Sequence, residues 1–232
     1  MAFLQDFHNK YSGEHGVILT CGPSLNVYDE DTLKRKLNDK VVIAVKQAIY
    51  KYPDSRFHMW NCCNLPVPTD GVHYNYDEMG TYPTVIASSN FHRGSKWSIK
   101  QDIDHFCKIP NPSRDGWEFV TKTLDFDRWT FENSPKKRPC GPGIMYETVL
   151  FWAVHLGFSK LTVMGWDLGS QANHEHFYRS RVHNKGFILP WEIEVTRNAA
   201  VPLYYWMRDR GIKLQLDSPL SAIDEVIPRI EL

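Results

Sequence analysis

Residues 16–29 read GVILTCGPSLNVYD, an apolar run that breaks at Gly22-Pro23-Ser24-Leu25 and then turns polar. The run has the length and content of a short strand buried on both faces. The polar residues beyond it suit the opening of a helix. A strand that yields to a helix in this way is the first half of a parallel β–α unit. Its exit is either an ordinary tight turn or a loop that offers N–H groups and a hydroxyl to an anion.

Similar runs punctuate the chain: VILT at 17–20, VVIAV at 41–45, FHMW at 57–60, TVIA at 84–87, KLTVM at 160–164 and IKLQL at 212–216. Each is nearly continuous rather than alternating, as strands covered on both sides are. Over 144–156, Met145, Val149, Trp152, Ala153 and Leu156 recur at helical spacing, and Gly157 is a C-terminal stop. Residues 192–210 predict a second long helix, which Pro202 should kink or divide. Ser218-Pro219 reads as an N-cap followed by proline at a first helical position. This alternation predicts an α/β, Rossmann-like fold: a mostly parallel sheet with helices on both faces and an irregular, loop-rich insertion. The stretches 62–82, 106–118 and 132–143 read as loop. Residues 1–232 are expected to form one domain, without repeats or low-complexity tracts.

Composition narrows the function. Lys+Arg and Asp+Glu number 27 each, so the net charge is zero and extended nucleic-acid binding is not expected. Lys136-Lys137-Arg138 is the obvious local basic patch. The 5 cysteines, with Cys62 and Cys63 adjacent, make neither a disulfide framework nor a zinc ribbon, and fit a reducing compartment. The N-terminal MAFLQDFHNKYSGEHG lacks a signal-peptide core, and no apolar run approaches the ~20 residues of a membrane span. A cytoplasmic protein is expected, without a transmembrane segment, free to form a homo-oligomer and able to work at a membrane that carries its acceptor. Core and half-buried surface should account for most of the 8 Trp, 11 Tyr and 12 Phe, though aromatics also build pockets for flat or sugar-like ligands.

Ligands of open α/β sheets collect at the carboxyl ends of the strands. Gly22, Pro23, Ser24 and Leu25 sit at such an end, where backbone N–H groups can meet a phosphate. Gly141-Pro142-Gly143 opens the strongest helix and is a second anion-friendly entry. Asp167, after KLTVM, can take a ribose hydroxyl, a metal or an acceptor hydroxyl, or simply close a turn. Lys46-Gln47 follow the second strand, and Ser88, Ser89 and Asn90 follow TVIA. The segment NHEHFYRSRVHN, 173–184, holds His174, His176 and His183 for acid–base work, with Tyr178, Arg179 and Arg181 to steady a departing phosphate. An H-x-H metal reading of that segment lacks a strong zinc spacing. A polar loop with incidental histidines is its equal. Arg197 is a further phosphate clamp or a plain surface charge.

Taken together, the GPSL loop, the Gly-rich helix entry, LGFSKLTVMGWDL and the closing GIKLQLDSPLS resemble two groups. One is the 6-hydroxymethylpterin diphosphokinase-like family; the other is the bacterial sialyltransferases of lipooligosaccharide synthesis. The resemblance covers the first strand–loop–helix and most of 138–221, while 60–130 resembles neither. It implies a sheet that grips a nucleotide phosphate, with 171–194 closing over the site as a lid. The sialyltransferase likeness implies a histidine base near 190–194, where this chain reads Pro-Trp-Glu-Ile-Glu. His183, His176, Glu192 and Glu194 therefore stand as alternatives for that role. Where those enzymes carry Asn-Gln, this chain carries Lys46-Gln47, and an ammonium there suits a diphosphate.

The expected function is a nucleotide-dependent transferase. Its most concrete form is a glycosyltransferase that moves a CMP-activated sialic acid-like or Kdo-like sugar to a glycan acceptor and needs no metal. The first alternative is an ATP- and Mg2+-dependent pyrophosphokinase acting on a pterin-like alcohol. The second is a non-catalytic nucleotide-binding module.

Overall fold

The structure, a computed structural model, describes residues 2–62, 74–89, 103–109, 125–168, 190–219 and 221–232. Seven strands form one sheet: β1 His15–Leu19, β2 Val41–Val45, β3 Phe57–Cys62, β4 Thr84–Ser89, β5 His105–Lys108, β6 Lys160–Met164 and β7 Lys213–Asp217. Their order across the sheet is β5-β4-β3-β2-β1-β6-β7, and each neighbouring pair is parallel. The predicted α/β class and parallel sheet are what the chain adopts.

The β-branched runs make strands because both of their faces are covered. Ile18, Ile43 and Val163 pack on one side with α1 (Ala2–Phe7), α4 (Leu150–His155) and α5 (Pro190–Asp209). Val17, Leu19, Val42 and Ala44 pack on the other with Leu33 and Leu37 of α2 (Glu30–Leu37). A single-turn helix, α3 (Tyr76–Met79), lies between β3 and β4. Sequence chemistry sets the bounds of α2: Asp29 accepts the Thr32 N–H at 2.7 Å, and acidic and basic residues occupy its first and last turns.

Several expectations need correction. Pro202 does not divide α5 or end it: Pro190–Asp209 is one helix. Ala199, Ala200, Leu203 and Met207 are buried on both sides of the proline in the same core. Burying such side chains contributes about 1.5–3 kcal/mol for each large one, which offsets the ~3 kcal/mol penalty of an internal proline. Ser218-Pro219 does not start a helix among the described residues; Ser221 N–H donates to the Ser218 carbonyl in a turn. The stretch read as loop from 106 contains β5, an edge strand in which Cys107 alone is buried. Its outer side is covered by Lys108 N–H donating to the Lys136 carbonyl and Arg138 N–H donating to the Lys108 carbonyl. Lys136-Lys137-Arg138 is accordingly no three-residue basic patch. Arg138 is buried, donates to the carbonyls of Trp129, Thr130, Ser134 and Glu147, and lies over the Phe131 ring. No helix among the described residues is long and apolar enough to cross a membrane.

Candidate functional site

From β1 the chain adds β2 to β5 outward on one side, then returns to place β6 and β7 on the other. The direction of winding reverses between β1 and β6. A crevice at the carboxyl ends of two such strands is where open sheets bind ligands. The GPSL and GWDL segments leave the sheet at that place.

The two exits are bonded to each other. Gly22 N–H donates to the Gly165 carbonyl at 2.9 Å. A Cβ on Gly22 would lie 2.1 Å from that oxygen and 2.4 Å from Asp167 Oδ2, so only glycine fits. Its φ is −71°, and the requirement is one of contact rather than backbone freedom. Ser24 is fully buried: its N–H donates to Asp167 Oδ2 at 2.7 Å and its hydroxyl donates to Oδ1. Both Ser24 donors are thus spent within the protein. Leu25 is buried beneath them, while Gly22 and Pro23 are half-buried at the rim.

Asp167 is 2% exposed, so its carboxylate straps β6 to the β1 exit and does not face bulk water. Burial pushes its pKa upward, against the lowering effect of the two Ser24 hydrogen bonds. Its carbonyl accepts the Ala222 N–H. Next to it, Trp166 N–H donates to Ser218 Oγ at 2.9 Å, and Ser221 Oγ–H donates to the Trp166 carbonyl at 2.6 Å. GPSL, GWDL and SPLS, far apart along the chain, therefore form one hydrogen-bonded clasp.

The Gly-rich helix entry joins the clasp through an aromatic contact. Gly143 has φ +92° and its carbonyl accepts the N–H groups of Tyr146 and Glu147, opening a π-helical turn at Met145–Val149 ahead of α4. The Tyr146 ring stands 6.0 Å from Trp166, and its hydroxyl donates to the Thr196 carbonyl of α5 at 3.1 Å. Gly141 is held close by Trp129, whose ring a Cβ would meet at 2.5 Å; Pro142 and Gly143 are half-buried. π-Turns of this kind concentrate at functional sites.

Lys46 and Gln47 leave β2 beside this clasp. Lys46 adopts φ +52°, a strained conformation for a residue with a side chain. Its carbonyl accepts a hydrogen bond from His58 Nε2 at 2.8 Å, and Tyr76 OH meets His58 Nδ1 at 2.6 Å. Gln47 Oε1 is 3.9 Å from Cys21 Sγ, which closes the gap to the β1 exit. Burial holds His58 neutral, with its pKa pushed down to about 3. Further along the edge, the Ser88 hydroxyl is buried and has no hydrogen-bond partner among the described residues.

Beside the clasp an open groove of about 480 Å³ is lined by Ile193, Glu194, Arg197, Asn198 and Val201 of α5 and by Asp224. Thr196, between Glu194 and Arg197, is the residue that receives Tyr146, and Asp224 follows the Ala222–Asp167 contact. Arg197 is exposed and forms no ion pair among the described residues. Glu194 and Arg197 are thus brought to one groove. Glu192 is in α5, although its side chain, like that of Ser89, lies outside the described residues. His174, His176, Tyr178, Arg179, Arg181, His183 and Asn90 lie outside them entirely.

Sequence reading passed over His58, Tyr28 and Asp217. Tyr28 OH donates to Asp217 Oδ1 at 2.6 Å, repeating at β7 what Ser24 and Asp167 do at β6. An acidic residue at or just beyond the carboxyl end of a buried strand, in IKLQLD as in KLTVMGWD, was the available signal. Nothing in FHMW marks His58 as a support for Lys46.

No family model matches the chain, and no curated protein matches it. Among solved structures it is similar to the MAf glycosyltransferase from Magnetospirillum magneticum AMB-1, with a TM-score of 0.56 at 15% identity. The match covers 97% of this chain and 34% of that one, so the chain spans about a third of that protein's length. At this identity the likeness is one of fold: nearly the whole chain follows an arrangement that is also found in a glycosyltransferase.

Proposed function

We propose that this chain is a glycosyltransferase that uses a nucleotide-activated sugar, with a CMP-activated sialic acid-like or Kdo-like sugar as donor and a glycan as acceptor. The observation that carries the reading is the clasp at the winding reversal, with a polar groove beside it and an arginine that has no ion-pair partner among the described residues. The donor nucleotide lies along the rim made by Gly22, Pro23, Lys46 and Gln47 and by the Gly141–Gly143 helix entry. Asp167, Ser24 and Leu25 shape that rim from beneath. In the transfer, the bond from the anomeric carbon to the phosphate oxygen breaks, and the nucleotide departs with its electron pair. The acceptor oxygen forms the new bond and gives its proton to a base, for which His183, His176, Glu192 and Glu194 remain the candidates. Arg197 meets the negative charge that develops on the leaving phosphate. With positive side chains in that role, a monophosphate leaves without a metal.

Thermal-shift measurements with CMP, CDP, UDP, GDP and ATP, each with and without Mg2+, test the reading. A metal-independent shift with CMP, followed by CMP release from a CMP-sugar, supports it. A shift with ATP that requires Mg2+, and none with CMP, replaces it with the pyrophosphokinase. Absence of any nucleotide shift overturns both.

A further inference from the structure

At the opposite end of the strands, three side chains from distant segments meet. His8 follows α1, Glu132 lies after Phe131, and His155 closes α4. His155 Nδ1 is 2.5 Å from Glu132 Oε1, and His8 Nε2 is 3.5 Å from the same oxygen. All three ligand atoms lie within 4.8 Å of one another.

The hydrogen bonds around them orient the lone pairs. His155 Nε2 is 2.9 Å from the Leu4 carbonyl, which only accepts, so the ring carries a proton there, and the 2.5 Å contact of Nδ1 with Glu132 Oε1 is closed in the metal-free protein by a second, shared proton. Asn9 Nδ2, which only donates, is 3.3 Å from His8 Nε2, so that nitrogen is unprotonated, and a metal would take its lone pair from Asn9. Two imidazole nitrogens and a carboxylate oxygen thus converge, and a metal that displaces the shared proton would find three lone-pair ligands there. A backbone carbonyl that fixes the far nitrogen of a histidine is the usual outer support of a metal ligand. His155 is 5% exposed and anchored, while His8 and Glu132 are each 44% exposed, which leaves a side open for water.

We propose that His8, Glu132 and His155 bind a divalent transition-metal ion of the zinc type, which fastens α1 to the end of α4. Two imidazoles and one carboxylate suit Zn2+ and disfavour Mg2+ and Ca2+, which prefer oxygen ligands alone. Tetrahedral ligands at ~2.0–2.1 Å from zinc stand ~3.3 Å apart, close to the His8–Glu132 separation. The His155–Glu132 pair is tighter than that, and loading moves the exposed Glu132 side chain outward by roughly 1 Å. The competing way to close the same contact is a second proton on His155, which makes an ion pair with Glu132.

Titration of tag-free, chelator-treated protein with Zn2+ separates the two. The expected result is one ion per chain, a melting temperature raised by about 5 °C at saturation, and no effect of Mg2+. Co2+ in place of zinc should give a tetrahedral absorption band. His8→Ala and Glu132→Gln, both at exposed positions that the fold tolerates, should each weaken binding at least ~10-fold and remove the shift. No zinc-dependent shift in the wild type, or one that persists in both variants, overturns the proposal and leaves the proton in place.

Discussion

The two ends of the strands use both main-chain and side-chain joints, with different residues. At the amino end a row of main-chain bonds (Asn9 N–H to the His155 carbonyl, Tyr11 to Leu156, Gly13 to Gly157 and Lys213 to Ser159) is joined by the side chains of His155 and Ser159. At the carboxyl end the main-chain bonds of Gly22 to Gly165 and Ala222 to Asp167 are joined by side-chain bonds: Ser24 to Asp167, Tyr28 to Asp217, Ser218 and Ser221 to Trp166, and His58 to Lys46. Backbone joints are indifferent to residue identity, whereas side-chain joints need particular residues. The carboxyl end also holds Lys46 and Leu168 at φ +52°, whereas Asn9 at the amino end, with φ +56°, is of a residue type that tolerates this conformation. Strain and specific chemistry concentrate there, at the edge where open sheets bind ligands.

The sharpest way to break this contrast is with glycines. Gly22→Ala drives a methyl group into the Gly165 carbonyl and the Asp167 carboxylate. It should cost about 3 kcal/mol or more, or prevent folding. Gly13→Ala, at the amino end, meets nothing within 4 Å and suffers only from its φ of +84°. It should cost about 1 kcal/mol. Chemical denaturation of the two variants measures the difference, and equal losses would erase the contrast.

Histidines at the two ends give a pH test. Burial pushes His58 down to about 3 and, with help from Lys160 and Lys40, His15 down to about 4. Both groups stay neutral in the fold while the unfolded chain takes up protons below about pH 6.5. Their stabilisation is therefore complete above that pH and is lost as pH falls toward 3 for His58 and 4 for His15. For His58, fully buried, the loss is on the order of 3 kcal/mol; for half-buried His15, solvent screening reduces it to roughly 1 kcal/mol. Stability curves between pH 7 and 3.5 should flatten more in His58→Gln than in His15→Gln. A steeper fall in His58→Gln would show that the ring is charged in the fold.

A smaller difference separates two serines. Ser24→Ala removes the hydroxyl from a buried carboxylate and should cost about 1–3 kcal/mol. Ser159→Ala removes an exposed hydroxyl that donates to the Gly13 carbonyl at 2.8 Å, and should stay within about 0.5 kcal/mol. Asp167 adds a signature of its own. Its raised pKa means that part of the stability present below about pH 4 is lost as pH rises through the folded value. Asp167→Asn should abolish that slope.

These joints also mark how far sequence reading reaches. VVIAV and KLTVM announce strands because burial on both faces leaves a nearly continuous run of apolar and β-branched residues, and β2 and β6 have those bounds. HFCK hides β5 because an edge strand with one buried side chain has no apolar run to show. AFLQDF, the six residues of α1, is too short for a helical period to appear. At the site, the types of residue in GPSL were legible but not their direction. Ser24 donors read as available to an anion, yet their partner is Asp167, 143 positions away. No local pattern encodes such a pairing. The histidine-rich segment 173–184 lies outside the described residues, so its acid–base role stays a proposal.

The contrast is sharpened last by asking whether the carboxyl edge binds as well as holds. Arg197 is exposed, lines the groove and has no ion-pair partner among the described residues, so Arg197→Ala should leave stability within about 0.5 kcal/mol. If the groove receives the phosphate of a donor, the same change removes a charge-assisted contact and should weaken nucleotide binding about tenfold or more. Lys213→Ala, an exposed cation at the start of β7, should leave that affinity unchanged. Calorimetric titration with whichever nucleotide stabilises the wild type compares the two. Equal affinities in both variants would mean that the arginine faces water for solubility alone and that the phosphate sits elsewhere on the rim. A loss confined to Arg197→Ala would tie the groove at the carboxyl edge to ligand binding, because both substitutions remove one positive charge and only Arg197 lines the groove.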